Sequence, residues 1–324
     1  MVGSHLADFL LKNTDWSIFG LARWNDNMEN IEHISNKINK KERISLLYGD
    51  LNDLPSLIDA VQESAPDYVF HLAAQSYPKT SFSAPLDTLN TNIIGTAKLL
   101  EALRKSEFSP YIHVCASSEV YGRVPADRVP ITEEENFHPA SPYAISKIGT
   151  DLIGRYYAEA YNMNIMTTRM FTHTGPRRGD VFAESTFAKQ IAMIEAGLLP
   201  PVIKVGNLDS LRTWTDVRDA VKAYYLLVTE NPTSGEYYNI GGSFSCTIKE
   251  MLEYLMSQST NKDIKVEVDP ERLRPIDADL QVPDTGKFTS HTGWRPEISF
   301  EKTMNDLLSY WREKVSTGRT FLAR

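Results

Sequence analysis

Short apolar runs rich in β-branched residues alternate with helical patterns through the first two-thirds of the chain. No other feature narrows the possible folds as much. Candidate strands are Ile18–Arg23, Ile44–Gly49, Tyr68–Ala73, Tyr111–Ser117 and Ile165–Phe171. The runs DYVFHLAA and YIHVCASS are apolar nearly throughout, as strands covered on both faces must be. Between the strands, Thr91–Lys105 carries an apolar stripe at Ile93, Ala97, Leu100 and Leu103, and a second helix is expected over Tyr143–Tyr161. Such alternation predicts an α/β fold with a parallel, doubly wound sheet.

After Thr172 the texture changes. Loops rich in Pro, Gly and Arg appear (GPRRGD, GLLPP, GNLDSLR), then short mixed elements, then a helix near Phe300–Lys314. The 324 residues exceed what one core usually fills. Residues 1–171 are read as a dinucleotide-binding domain. Residues 172–324 are read as a smaller substrate lobe, interleaved with the sheet. With 34 basic against 42 acidic residues and no basic tract, the chain is not expected to bind nucleic acid or a membrane surface. Its two cysteines, Cys115 and Cys246, exclude a disulfide scaffold and fit a reducing cytoplasm. No apolar run reaches the length of a membrane span, and no His, Cys, Asp and Glu cluster has metal-ligand spacing.

The sharpest constellation is Tyr143-Ala-Ile-Ser-Lys147. Residues four apart share a helix face, and an ammonium beside a phenol favours phenolate, which would make Tyr143 a general base toward an alcohol. By itself this spacing describes an ordinary surface pair equally well. Upstream, Ala116-Ser117-Ser118-Glu119-Val120-Tyr121-Gly122 directly follows an apolar strand, where parallel sheets place their sites. A hydroxyl at Ser117 and a carboxylate at Glu119 can there face the Tyr and Lys. The plainer alternatives are a turn residue and a solvated carboxylate. His71 and His113 lie in apolar strands and are read as satisfied core histidines, and Glu133-Glu134-Glu135 as a solvated loop.

Other positions point to a dinucleotide. Asp50 and Leu51 end one strand, where a carboxylate could meet an adenine edge. Leu72, Ala73, Ala74, Gln75 and Ser76 end the next, and their small residues let a cofactor approach the backbone. Arg23, at the strand after the first helix, suits a ribose 2′-phosphate rather than a 2′-hydroxyl. The opening VGSHLADFLLKN reads as the end of a phosphate-binding turn running into its helix. A dinucleotide fold places a strand and two more glycines ahead of it, and here only Gly3 stands. The chain is therefore expected to be truncated at its N-terminus, with the first strand missing.

HLAAQS, SSEVYG and SPYAISK, in this order, resemble extended short-chain dehydrogenases/reductases that act on nucleotide sugars, and the resemblance runs from Val2 to about Lys314. Gly175-Pro-Arg-Arg-Gly-Asp180, Gly206-Asn-Leu-Asp-Ser-Leu-Arg212 and Asp269-Pro-Glu-Arg-Leu-Arg-Pro275 narrow it to GDP-mannose 4,6-dehydratases and relatives acting on GDP-D-glycero-D-manno-heptose. AQSYPKTSF, SPYAISKIGTD and LRPIDAD are nearer the heptose branch. The resemblance implies a Rossmann-type fold. It matches Ser117 to an active-site Thr, Glu119 to an acid/base Glu, Tyr143 to the Tyr base and Lys147 to the Lys that tunes it. It places His173 and Arg178 against NADP, and Arg212 and Arg274 against the GDP phosphates. It also implies a homodimer or homotetramer with the PRRG loop near a neighbouring cofactor. Three departures stand out: Ser117 in place of Thr, Thr172 in place of Asn, and Trp24 in place of the second Arg of an Arg-Arg pair.

The resemblance thus implies a GDP-sugar 4,6-dehydratase with tightly bound NADP as an internal hydride shuttle, NAD being the alternative. A 4-keto reductase, an epimerase and a nucleotide-sugar sensor on a degenerate fold are the competing readings.

Overall fold

The computed structural model describes residues 1–273, 276 and 278–318. In chain order its strands are β1 (Ile18–Ala22), β2 (Ile44–Tyr48), β3 (Tyr68–His71), β4 (Tyr111–Cys115), β5 (Ile165–Met170), β6 (His173–Thr174), β7 (Val202–Val205), β8 (Leu211–Asp216), β9 (Tyr237–Ile240), β10 (Phe244–Thr247), β11 (Lys265–Val268) and β12 (Leu280–Gln281). The expected α/β fold is present, and its sheet is wholly parallel in two ladders: β2–β1, and β3–β4–β5–β9. No ladder joins β1 to β3. Side chains bridge that seam instead. Trp16 stacks on Tyr68 with ring centroids 4.3 Å apart, and Ile18, Phe70 and Leu72 pack with Leu6 and Leu10 of the helix Val2–Asn13.

Helices cover both faces of the larger ladder. Leu57 and Val61, Leu99, Leu100 and Leu103, and Ala158 come from three helices and close over Ile112, Val114 and Ile165. On the other face, Ala220, Tyr224 and Leu227 of the helix Val217–Thr229 pack with Met166, Met170 and Trp294. The second half of the chain adds its own core. There the helices Ala183–Glu195, Ile248–Ser257 and Phe300–Ser316 pack around β7 and Trp214. Its strand β9 returns to pair with β5, so the sheet is completed by residues from beyond 171. Among the described residues, no helix is long and apolar enough to cross a membrane.

Local chemistry sets the element that matters most. Ser141 caps the helix Pro142–Tyr161: its Oγ accepts from the Ala144 amide at 3.0 Å, and Pro142 opens the first turn, where no amide partner is needed. Asn162, left-handed at φ 53°, ends it. The expected helix at Thr91–Lys105 starts differently, with a π-helical turn at Asn90–Ile94 before Gly95–Arg104.

All six residues of β5 are buried, although three are Thr167, Thr168 and Arg169. Arg169 is held by Asp151 (Nε–Oδ2 2.7 Å), by the Tyr121 hydroxyl (3.0 Å) and by the Glu133 carbonyl (2.8 Å). The acidic run is therefore not a solvated loop. Glu133 is buried and accepts from the Asn239 amide at 2.8 Å, while Glu135 pairs with Arg128. The segment is pinned because it covers Arg169 and the end of β9.

Gly122 has φ +54°, and a Cβ built there would lie 1.7 Å from the His138 carbonyl oxygen. Gly122→Ala should therefore lower stability by roughly 1–3 kcal/mol, since neither the backbone angle nor the contact tolerates a side chain. Urea denaturation checks this, and an unchanged midpoint would refute it.

Candidate active site

The loops that leave the C-terminal ends of β3, β4 and β5 open into one cleft of about 760 Å³. Leu72, Ala74 and Ser76 follow β3; Ser117 and Glu119 follow β4; Phe171, Thr172 and His173 follow β5, and all line it. Tyr143 and Lys147 enter from the helix Pro142–Tyr161, while Gly206, Arg212, Asp269 and Arg272 form the far wall. The N-terminal residues Met1, Val2 and Gly3 close one end. A second depression, between Arg123 and His138, holds none of these groups.

Ser117 is extended and caps the short helical turn Ser118–Val120, its Oγ accepting from the Glu119 amide at 3.2 Å. That turn fixes Glu119 at the cleft wall. Lys147 is buried and donates to the Cys115 carbonyl at 2.7 Å. Its ammonium is thus tied to the end of β4. Burial pushes the Tyr143 phenol well above its ordinary value. The nearby Ser117 hydroxyl and the charge of Arg178 oppose that rise, and the charge of Glu119 adds to it.

Arg178 stacks 3.4 Å over the Phe182 ring and donates from Nε to Glu184 at 3.1 Å. Burial and Arg178 push His173 down to about 3, so its imidazole is neutral. Its Nδ1 lies 3.2 Å from the Phe171 carbonyl and therefore carries the proton, which leaves Nε2 as an acceptor. Arg212 Nη1 lies 3.4 Å from Glu119 Oε1.

The cleft thus collects Gly3, Leu72, Ala74, Ser76, Ser117, Glu119, Tyr143, Lys147, His173, Arg178 and Arg212. It does not collect every expected residue. Arg23 stands exposed, and Asp26 accepts from its Nε at 2.9 Å and from its Nη2 at 2.7 Å. Asp50 accepts from the Asn52 amide within its own turn, and Leu51 is buried under Gly95. Gln75 acts as a strut rather than a wall: its Nε2 donates to Thr88 at 3.0 Å and its Oε1 accepts from the Tyr77 amide at 2.7 Å. Ala73 does not line the cleft. Arg274 lies outside the described residues. Among the core histidines, His71 meets Thr96 at 2.9 Å and His113 meets Thr168 at 2.8 Å, but His113 Nδ1 has no partner.

Several groups escaped the sequence reading. Asn92, in the π-helical turn, is buried and holds the Gln75 amide, the Gln75 carbonyl and Ser146 Oγ at 2.8–3.0 Å. It thereby ties the loop after β3 to the helix turn that carries Lys147. Arg177 folds back on its own chain. It donates to Asp8 (2.7 Å), His5 Nδ1 (3.0 Å) and Ser4 (3.1 Å), so the PRRG loop rests on the helix Val2–Asn13. Lys79 and Arg272 also line the cleft. Lys79 and Arg177 sit inside segments already singled out, so position was the available signal. For Asn92 the sequence offers none.

Residues 1–307 match the family described as GDP-mannose 4,6 dehydratase. The GDP-6-deoxy-D-mannose reductase of Pseudomonas aeruginosa is 33% identical over 266 residues, 82% of this chain and 86% of that protein. GDP-mannose 4,6 dehydratase 1 of Arabidopsis thaliana is 32% identical over 328 residues, 97% of this chain and 89% of that protein. The structure of RMD from Pseudomonas aeruginosa complexed with NADPH superimposes with a TM-score of 0.78 at 29% identity, covering 92% of this chain and 99% of that one.

The raised phenol makes a prediction. A neutral Tyr143 is favoured until the pH passes its elevated value. Below about pH 10, the ordinary tyrosine value, the ligand-free protein and Tyr143→Phe should therefore show the same tyrosinate absorbance near 295 nm. A tyrosinate that titrates near neutrality and disappears in the variant would contradict it.

Proposed function

The chain belongs to the GDP-mannose 4,6-dehydratase family, and from that premise we propose that it converts a GDP-hexose or GDP-heptose to the 4-keto-6-deoxy sugar with loss of water. The observation that carries this reading is the carboxylate of Glu119 in one cleft with Tyr143 and with the cations Arg178 and Arg212. NADP is the cofactor. A Cβ at Gly3 would meet nothing within 4 Å, so the end of the helix Val2–Asn13 leaves an open cradle where backbone amides would hold a pyrophosphate. Leu72, Ala74 and Ser76 would flank it, and Arg178 and neutral His173 would complete the wall. When bound, the cofactor would supply, oxidised, a hydride acceptor for C4 and a positive ring that favours a Tyr143 phenolate, and, reduced, the donor of that hydride to C6.

The chain's own residues move the protons. Tyr143, once deprotonated, accepts the C4 hydroxyl proton, and Ser117 and Arg178 are the groups that stabilise its charge. The resulting 4-keto group acidifies C5–H. Glu119 takes the C5 proton and returns one to the departing C6 hydroxyl, with Ser117 beside it. Arg212 binds the diphosphate of the substrate, where a guanidinium fork suits phosphate oxygens. Arg274 shares this role by resemblance alone. C5 regains a proton as C6 is reduced, which balances the one that Tyr143 accepted and returns Tyr143 and Glu119 to their starting states, so the reaction is redox-neutral overall.

A reductase, the activity named for the Pseudomonas relative, would use Tyr143 and Lys147 but needs no base at C5. Glu119→Gln separates the two. With GDP-mannose or GDP-mannoheptose, the variant should oxidise C4, stop there, and accumulate bound reduced cofactor at 340 nm without loss of water. Normal water loss would remove Glu119 as the base. Net consumption of NADPH by the unaltered protein, with a 4-keto sugar as substrate, would favour the reductase.

The protein is further proposed to act as a homodimer, or a dimer of dimers, in the cytoplasm, where its two free cysteines are suited to reducing conditions. Ile145, Leu152 and Tyr156 lie on one exposed face of the helix Pro142–Tyr161 and are 47–57% exposed. Leu86 and Ile94, on two segments that pack against this helix, are exposed as well. Apolar surface of this extent is typical of an interface. Leu152→Glu should convert the dimer to a monomer by light scattering, and an unchanged mass would discard this face.

A further inference from the structure

The Glu119–Arg212 contact joins two residues that the proposed chemistry uses separately. Arg212 is 12% and Glu119 16% exposed, and their single contact is 3.4 Å long. Buried pairs elsewhere in the molecule are tighter: Arg169–Asp151 closes at 2.7 Å and Arg178–Glu184 at 3.1 Å. Among the described residues, Glu119 is the one side-chain partner of Arg212, and Arg212 that of Glu119. A guanidinium carries five N–H donors, so most of this fork is uncommitted. The register neighbours of Arg212 on the flanking strands are Cys246 and Gln281, neither of them charged. Nothing on that sheet row competes for it.

A diphosphate offers more charge than one carboxylate and accepts the fork through two oxygens. Resting on the reading that this cleft takes a nucleoside diphosphate sugar, we propose that Glu119 and the substrate diphosphate compete for Arg212. With the cleft empty, the arginine holds the carboxylate against the far wall. When the diphosphate arrives, Arg212 turns to it and the Glu119 carboxylate is released toward the sugar. The base is thus freed only when an anionic nucleotide is in place. Arg212 is a positioning residue for Glu119 as well as a substrate contact.

The test is calorimetric titration of GDP itself, which carries the diphosphate but no reacting sugar, into the cofactor-loaded protein and three variants. Removing the competitor should tighten binding, so Glu119→Gln should bind GDP roughly threefold to tenfold better than the unaltered protein. Arg212→Ala should bind it more weakly. In the double variant the gain from Glu119→Gln should vanish, because its cause is gone. Arg212→Lys, which keeps the charge but loses the fork, serves if Arg212→Ala fails to fold. Equal affinity of Glu119→Gln and the unaltered protein would overturn the proposal. So would a gain that persists without Arg212, since it would reflect general repulsion in the cleft. Failure of the unaltered protein to bind GDP at all would instead refute the proposed substrate class.

Discussion

The buried ion pair of Arg169 with Asp151 is the contact on which the geometry of the cleft depends. Asp151 lies one helical turn beyond Lys147, Tyr121 lies two residues beyond Glu119, and Glu133 begins the segment that covers both. One guanidinium on β5 therefore fixes the helix that carries Tyr143 and the turn that carries Glu119. The arrangement is saturated: Tyr121 also donates to Asn239 at 2.7 Å, and Asn239 Nδ2 reaches the Ile131 carbonyl at 2.9 Å. A buried charge lacking one of these partners would be costly, which makes the network specific as well as tight. Phe137 and Tyr237 lie within 5 Å of the guanidinium carbon and exclude water from it.

Much of this was legible in the sequence. The strands and the helix Pro142–Tyr161 follow from apolar runs and an N-cap serine, both local signals. Ser117, Glu119, Tyr143 and Lys147 could be grouped because parallel strands end on one side. The roles inside the group could not be read the same way. That Lys147 bonds to the Cys115 carbonyl depends on how closely the helix packs on β4. The rise in the Tyr143 phenol depends on burial, a property of the whole cleft. Arg169 looks like an error in an apolar strand until Asp151, eighteen residues earlier, is seen beside it. Glu133 was misread for the converse reason: a run of three acids resembles a solvated loop, yet its first member caps the Asn239 amide. Asn92 is hidden in a π-helical turn, and no residue pattern announces one.

Charge is distributed in a way the net value conceals. The chain is acidic by eight charges, yet Arg177, Arg178, Arg212 and Arg272 converge on the cleft. Three of them face carboxylates that hold them in place, Asp8 for Arg177, Glu184 for Arg178 and Asp269 for Arg272. Arg212 faces a carboxylate that has work of its own to do. The acidic remainder keeps anions off the general surface, so the cleft is the favoured place for one to settle.

The seam between β1 and β3 is crossed by rings and aliphatic side chains, with no backbone ladder. Peptide hydrogen bonds make a sheet open as one cooperative body, whereas side-chain packing lets neighbouring parts open separately. The parallel pair β1–β2 should accordingly behave as its own unit of local unfolding. Its amides should trade their protons for deuterons before those of β4 and β5, and stacking at Trp16 should be lost in the same event. Whatever binds across that seam would hold together two parts that no backbone ladder joins, and would slow that separate opening.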